Sequence, residues 1–221
     1  MSTAPNFNRL APLYRWMEYA SFGPWLWWCR SAFLPDLSAC RHALVLGDGD
    51  GRFTARLLHI NPAIRILAVD ASPAMLCALE RRAAPHAARL RVECSDLRAW
   101  QPPPDAPHYD LIVTHFFLDC LTTEECTALA TKLSRAVAPD ARWVLSEFAI
   151  PRSAAGRVIA GAIVGALYRA FGWMTGLAVR RLPQYESALH AAGFARQKRR
   201  DWLGGLLTSQ LWTPVPNTPA V

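Results

Sequence analysis

The run Gly47-Asp48-Gly49-Asp50-Gly51 constrains this chain more than any other feature; it is entered from the apolar stretch Ala43-Leu44-Val45-Leu46 and followed, after one more apolar run, by Asp70. Closely spaced glycines after a β-strand let the backbone turn sharply and come close to a ligand at the mouth of the next helix, as in nucleotide-binding α/β folds. The two aspartates narrow the choice of ligand. A dinucleotide would lay its pyrophosphate on this loop, where carboxylates in a partly desolvated site repel it. The dinucleotide spacing G-x-G-x-x-G also fails, because the third glycine is replaced by Arg52 or Thr54, depending on the starting glycine. S-adenosylmethionine has no phosphate and carries a sulfonium and an ammonium, so the same carboxylates attract it.

From residue 42 onward, apolar runs alternate with helical patterns, the signature of repeated βα units and a mainly parallel sheet. Strands are expected near 42–46, 64–69, 89–94, 109–115 and 141–149, with two final ones near 194–201 and 206–213. The helix opening at Gly51 carries Phe53 and Leu57 on one face. The next is announced by Ser72 as N-cap with Pro73 at its first position, and a third by the capping box Thr122/Glu125, ending before Pro139. The proline-rich run 101–108 reads as a surface connector. Residues 153–179 form a long Ala/Gly/Val-rich helical stretch, and a short helix from Leu182-Pro183 ends at Gly193. Arg169, near the middle of the long stretch, costs about 2.5 to 3.5 kcal/mol in a bilayer, so the stretch reads as a buried or lid helix and not a transmembrane span.

A chain of 221 residues fits one well-filled domain, and the 52% apolar fraction with nine tryptophans calls for large buried aromatic surfaces or an apolar ligand. The net charge of +7 comes almost entirely from arginine, with Lys132 and Lys198 the only lysines, and the basic run Arg196 to Arg200 reads as a solvated strand face, not a nucleic-acid site. Six cysteines show no C-x-x-C pair and no zinc-ligand spacing, which fits reduced, mostly buried thiols and no metal. The N-terminus has no charged segment followed by an apolar one, so the cytoplasm is the expected compartment.

Val45-Leu46-Gly47-Asp48-Gly49-Asp50-Gly51, Val69-Asp70-Ala71-Ser72, Cys94-Ser95-Asp96-Leu97 and Tyr109-Asp110-Leu111-Ile112-Val113 resemble, in order and spacing, the four cofactor motifs of class I S-adenosylmethionine-dependent methyltransferases. The resemblance is close over 42 to 150 and implies a doubly wound α/β fold: a seven-stranded, mainly parallel sheet with its last strand antiparallel. It implies that Gly47, Gly49 and Gly51 hold the methionine portion, that Asp70 binds the ribose hydroxyls with Ala71 beside it, and that Asp96 accepts from the adenine amino group with Leu97 against the ring. Thr114 and His115, at the end of the fourth strand, face the place where methyl donor and acceptor meet. Val45 departs from the family, which carries an acid two positions before the first glycine; Asp48 or Asp50 is expected to compensate.

The segment Phe7 to Trp16 resembles the cap of quinone-biosynthesis-type small-molecule methyltransferases, giving a helical cap over 1–40 and a cofactor domain over 41–221 with a helical insertion at about 153–192. With the aromatic cluster Phe22 to Trp28, these segments form either core packing or a greasy roof able to touch a membrane surface. The expected activity is methyl transfer to a small, hydrophobic acceptor, on oxygen, carbon or nitrogen. His115 is the first candidate general base, with Asp119 or Tyr14 behind it. The alternatives are a non-catalytic cofactor-binding subunit, an RNA or protein methyltransferase, for which His115-Phe116-Phe117-Leu118 lacks the motif, and, more distantly, a nicotinamide oxidoreductase.

Overall fold

A computed structural model of the chain describes residues 22–151, 153–175, 179 and 181–216. Its strands are β1 (His42–Leu46), β2 (Arg65–Asp70), β3 (Leu90–Cys94), β4 (Tyr109–His115), β5 (Val137–Phe148), β6 (Phe194–Trp202) and β7 (Leu207–Pro214). They form one seven-stranded sheet in the order β3-β2-β1-β4-β5-β7-β6. The pairs from β3 through β5 are parallel, and β7 runs antiparallel between β5 and β6.

The helices are α1 (Trp25–Ser31), α2 (Arg52–Ile60), α3 (Pro73–Ala83), α4 (Thr123–Ser134), α5 (Ala154–Thr175) and α6 (Tyr185–Ala191). Strand alternation explains why both sheet faces are covered. Ala43, Val45, Leu111 and Val113 join one core with Phe33, Phe53, Leu57 and Leu79. Leu44, Leu46 and Ile112 join the other with Leu129 and Leu133 of α4 and Tyr185 and Leu189 of α6. A near-continuous apolar run such as Ala43–Leu46 suits a strand buried on both faces.

Local signals work as read. Ser72 Oγ accepts from Met75 N at 3.3 Å with Pro73 in the first turn of α3. Thr122 and Glu125 close a reciprocal capping box on α4, at 3.2 Å and 2.8 Å. β5 begins at Val137, earlier than expected, because Val137 pairs with Tyr109 of β4 ahead of a register shift after which Leu111 pairs with Arg142. The long helix is described over Ala154–Thr175, and residues 176–178 of the expected 153–179 stretch lie outside the described residues. Among the described residues no helix is long and apolar enough to cross a membrane.

β6 is one of the two edge strands, and its cations are tied down: Arg196 and Arg199 pair with Glu186, Lys198 with Asp36, and Arg200 lies over the Phe33 ring. Edge strands use such charges against stray pairing. All six cysteines are free, but Cys77 and Cys94 are exposed, so burial holds for fewer thiols than expected.

Candidate active site

The parallel strands deliver the candidate residues to one edge, at the C-terminal ends of β1, β2, β3 and β4, with the end of β5 beside them. Gly47, Gly49 and Gly51 all have positive φ (65°, 59° and 75°), so the loop folds back on itself between β1 and α2. Two of the three are required by space as well as by φ. A Cβ on Gly47 would lie 2.5 Å from the Phe117 ring, and one on Gly51 would lie 2.7 Å from the Leu79 backbone. Gly51 therefore lets α2 and α3 pack, while Gly47 keeps a cradle open beside the loop that follows β4.

The two aspartates of the loop have different duties. Asp48 is buried, and its Oδ2 accepts from Thr54 N at 2.9 Å and Thr54 Oγ1 at 2.7 Å, satisfying an otherwise orphaned amide of the first turn of α2. Burial pushes its carboxyl up to about 6; the Thr54 bonds and the Arg30 charge oppose the rise, and Asp50 adds to it. Asp50 instead pairs with Arg52 at 3.0 Å and Arg82 at 2.9 Å, so of the two acids expected to compensate for Val45, only Asp48 is without a salt bridge among the described residues.

Asp70 ends β2, where its Oδ1 accepts from Ser72 N at 2.8 Å and a further bond comes from the Gly49 amide. Burial pushes Asp70 up to about 6, with the charge of Asp48 adding to the rise. Because a carboxylate has about four acceptor positions, ribose hydroxyls can still be accommodated. Ala71 follows it, exposed, ahead of α3. Asp96 is half-buried after β3; its Oδ1 accepts from Arg98 N at 3.0 Å, and Arg98 also reaches Glu125 at 2.7 Å. Leu97 is buried in the core beside Trp100 and packs beneath the site.

Thr114 and His115 are both buried. Thr114 Oγ1 accepts from Trp143 Nε1 at 3.0 Å. His115 is 2% exposed, meets the Phe53 ring edge-on at 4.5 Å, and has no hydrogen-bond partner at either ring nitrogen. Burial, helped by the Arg30 charge, holds it well below the ordinary histidine range, so it is a neutral imidazole. Tyr14 lies outside the described residues.

Two charged residues that the sequence reading passed over lie beside the site. Arg30 of α1 is buried, stacks over Phe116 at 5.0 Å, and acts electrostatically on Asp48 and His115. Glu147 of β5 is fully buried, and its Oε1 accepts from Phe117 N at 3.2 Å and Leu118 N at 2.8 Å while Oε2 has no partner. These bonds hold the turn after β4, where Phe116 adopts φ 52°, a strained value for a bulky residue. Asp119 sits in the same turn; burial pushes it up to about 6, and burial together with Asp119 raises Glu147 well above the carboxylate range. A lone acid inside Trp143-Val144-Leu145-Ser146-Glu147-Phe148 was the available sequence signal for Glu147.

The pocket suits a cation. The charge of Asp48 raises the proton affinity of Asp70 across the glycine loop, and a positive ligand beside them relieves that repulsion where a phosphate would add to it. Among the described residues no cluster of three or more His, Cys, Asp or Glu is placed to hold a metal ion.

Comparison with known proteins agrees with the geometry. The family described as "Methyltransferase domain" matches residues 43–140. A malonyl-[acyl-carrier protein] O-methyltransferase from Halorhodospira halophila is 33% identical over 108 residues, covering 49% of this chain and 35% of the relative, so the chain spans only part of that protein's length. The solved structure of the mitomycin 7-O-methyltransferase MmcR shares the fold with a TM-score of 0.68 at 16% identity, covering 95% of this chain and 61% of its own. An O-methyltransferase family protein from Burkholderia thailandensis gives a TM-score of 0.70 at 14% identity, covering 95% and 60%. Residues 43–140 are thus similar to the methyltransferase domain family, and the sheet order is that of the fold these solved methyltransferases share.

Proposed function

We propose that this protein transfers a methyl group from S-adenosylmethionine to an oxygen of a small, mostly apolar acceptor. The observation that carries the reading is the convergence, at one sheet edge, of a phosphate-excluding glycine loop flanked by Asp48 and Asp70 with an aromatic, acid-bearing turn after β4. When bound, S-adenosylmethionine supplies an electrophilic methyl group. The Gly47–Gly51 loop and Asp48 would hold its methionine end, with Asp70 at the ribose and Asp96 at the adenine.

The chain's own part is to orient the acceptor, exclude water and accept a proton. Phe116 and Phe148 pack at 5.3 Å, and Phe22 lies 5.4 Å from Phe148, which makes the acceptor side a low-polarity wall. Charge is dispersed when a neutralising nucleophile meets a sulfonium, so a dry enclosure favours the transition state over separated ions, and orientation alone can account for about 7 to 11 kcal/mol. Asp119 is the group we assign as base: its carboxyl, pushed up to about 6, suits removal of a hydroxyl proton near neutrality, typically worth about 10² to 10⁴-fold. His115, buried behind Phe53, is assigned a packing role.

The RNA alternative is disfavoured because His115-Phe116-Phe117-Leu118, the segment at the end of β4, lacks the motif expected of such an enzyme. The test is transfer of labelled methyl groups to a panel of phenols, hydroxyquinones and hydroxyaryl acids, counted in the organic extract. Counts confined to RNA or protein, or saturable cofactor binding with no transfer to any acceptor, would overturn the reading.

A further inference from the structure

A cavity of about 780 Å³ lies beyond the end of β5, within the size range of small-molecule sites. Its lining combines the apolar Phe148, Ile150 and Leu182 with Arg196 and Arg199 of β6 and the carboxylates Glu186 and Asp201. Phe148 joins this cavity to the methyl-transfer site, since its ring lies 5.3 Å from that of Phe116, the residue directly after β4. Tyr185 also lines it and feels the charge of Glu147, so the acid-bearing turn and the cavity are neighbours.

The polar wall has more donors than acceptors. Glu186 receives Arg196 at 2.7 Å, Arg199 at 3.1 Å and Gln210 at 2.6 Å, and both Asp201 oxygens receive the Arg199 Nε, at 2.9 and 3.0 Å. These bonds engage both carboxylates. Each guanidinium has five N–H groups in a planar fork, and these bonds use one from Arg196 and two from Arg199. The remaining N–H groups belong to side chains that line the cavity together with Phe148, Ile150 and Leu182.

We propose that this cavity is the acceptor subsite and that it selects an aryl acid: an apolar ring system against Phe148, Ile150 and Leu182, with a carboxylate on the guanidinium fork of Arg199 and Arg196. The inference rests on the methyl-transfer reading and names its substrate class. A ring thus anchored by its acid group presents its other end toward Phe148 and the turn after β4. The pairs Arg199–Asp201 and Arg196–Glu186 keep the guanidiniums extended in the free protein, so little ordering is needed when the acid binds.

The test uses 2-naphthoate and its uncharged amide as probes, titrated calorimetrically into the full chain without cofactor, with S-adenosylmethionine binding measured separately. Naphthoate is expected to bind saturably, at least about ten-fold tighter than the amide, as the loss of a charge-assisted bond requires. Arg199→Met should remove that preference, while Arg199→Lys should retain part of it. Unfolding temperature and cofactor affinity, measured on each variant, separate loss of the subsite from loss of the fold. Equal affinity for acid and amide, absence of saturable naphthoate binding, or a preference unchanged in Arg199→Met would overturn the proposal. Intact cofactor binding alongside any of these results leaves the methyl-transfer reading standing.

Discussion

Asp48 is placed where stability and cofactor binding pull in opposite directions, and Asp48→Asn separates them. Asparagine keeps a carbonyl oxygen for Thr54 N and Oγ1, so the cap on α2 survives, but the charge is removed. Burial raises the carboxyl from 3.8 to about 6, which at about 1.4 kcal/mol per pH unit makes the ionised form cost the folded protein about 3 kcal/mol. For an acid raised in this way, the cost is absent below the unfolded value of 3.8, grows as pH climbs, and is complete above about 6. Asp48→Asn is therefore expected to match the parent in urea unfolding near pH 3.8 and to exceed it by about 2 to 3 kcal/mol above pH 6. Calorimetric titration should show the reverse for function: S-adenosylmethionine affinity lower by about ten-fold or more, from losing a charged partner worth about 1.5 to 3 kcal/mol. A stability difference independent of pH, or an unchanged affinity, would refute the electrostatic assignment.

Gly47→Ala should abolish cofactor binding measured by the same titration, because φ is 65° and the added methyl group meets the Phe117 ring at 2.5 Å. Thr122→Ala should lower stability by about 1 kcal/mol in chemical unfolding, since it opens the capping box of α4. His115→Phe should leave stability unchanged or raise it by about 1 kcal/mol, because two unpartnered ring nitrogens leave the core, and labelled methyl transfer should persist. Glu147→Gln should fold like the parent, whereas Glu147→Leu should lose about 2 to 3 kcal/mol in urea unfolding, since the amides of Phe117 and Leu118 lose their buried acceptor.

What was legible in the sequence was local. A strand, a glycine loop, an acid at the end of the next strand and two helix caps are each written within a few consecutive residues, and the sheet order follows once those units repeat. What was not legible depends on packing between distant segments. Glu147 reaches Leu118 N only because β4 and β5 pair in a register that puts His115 opposite Ser146, and Arg30 reaches the site only because α1 folds against it. Thr114 and His115, read as facing the reaction, are turned into the core by Trp143 and Phe53, neither of which is near them in sequence.

The glycine loop shows the same boundary within five residues, and it fixes the charge that a ligand meets. Asp48 and Asp50 are equivalent on paper, yet Asp48 folds back to Thr54 while Asp50 is held by Arg52 and by Arg82, which lies 32 residues further along. Arg52 and Arg82 hold Asp50 in salt bridges, so the loop acids without one among the described residues are Asp48 and Asp70, each already strained by burial and Asp70 further by its neighbour. A cation placed between them lowers both costs together. The preference for a sulfonium nucleoside over a phosphorylated one therefore rests on which aspartate the turn leaves without a salt bridge, and not on how many aspartates the loop contains.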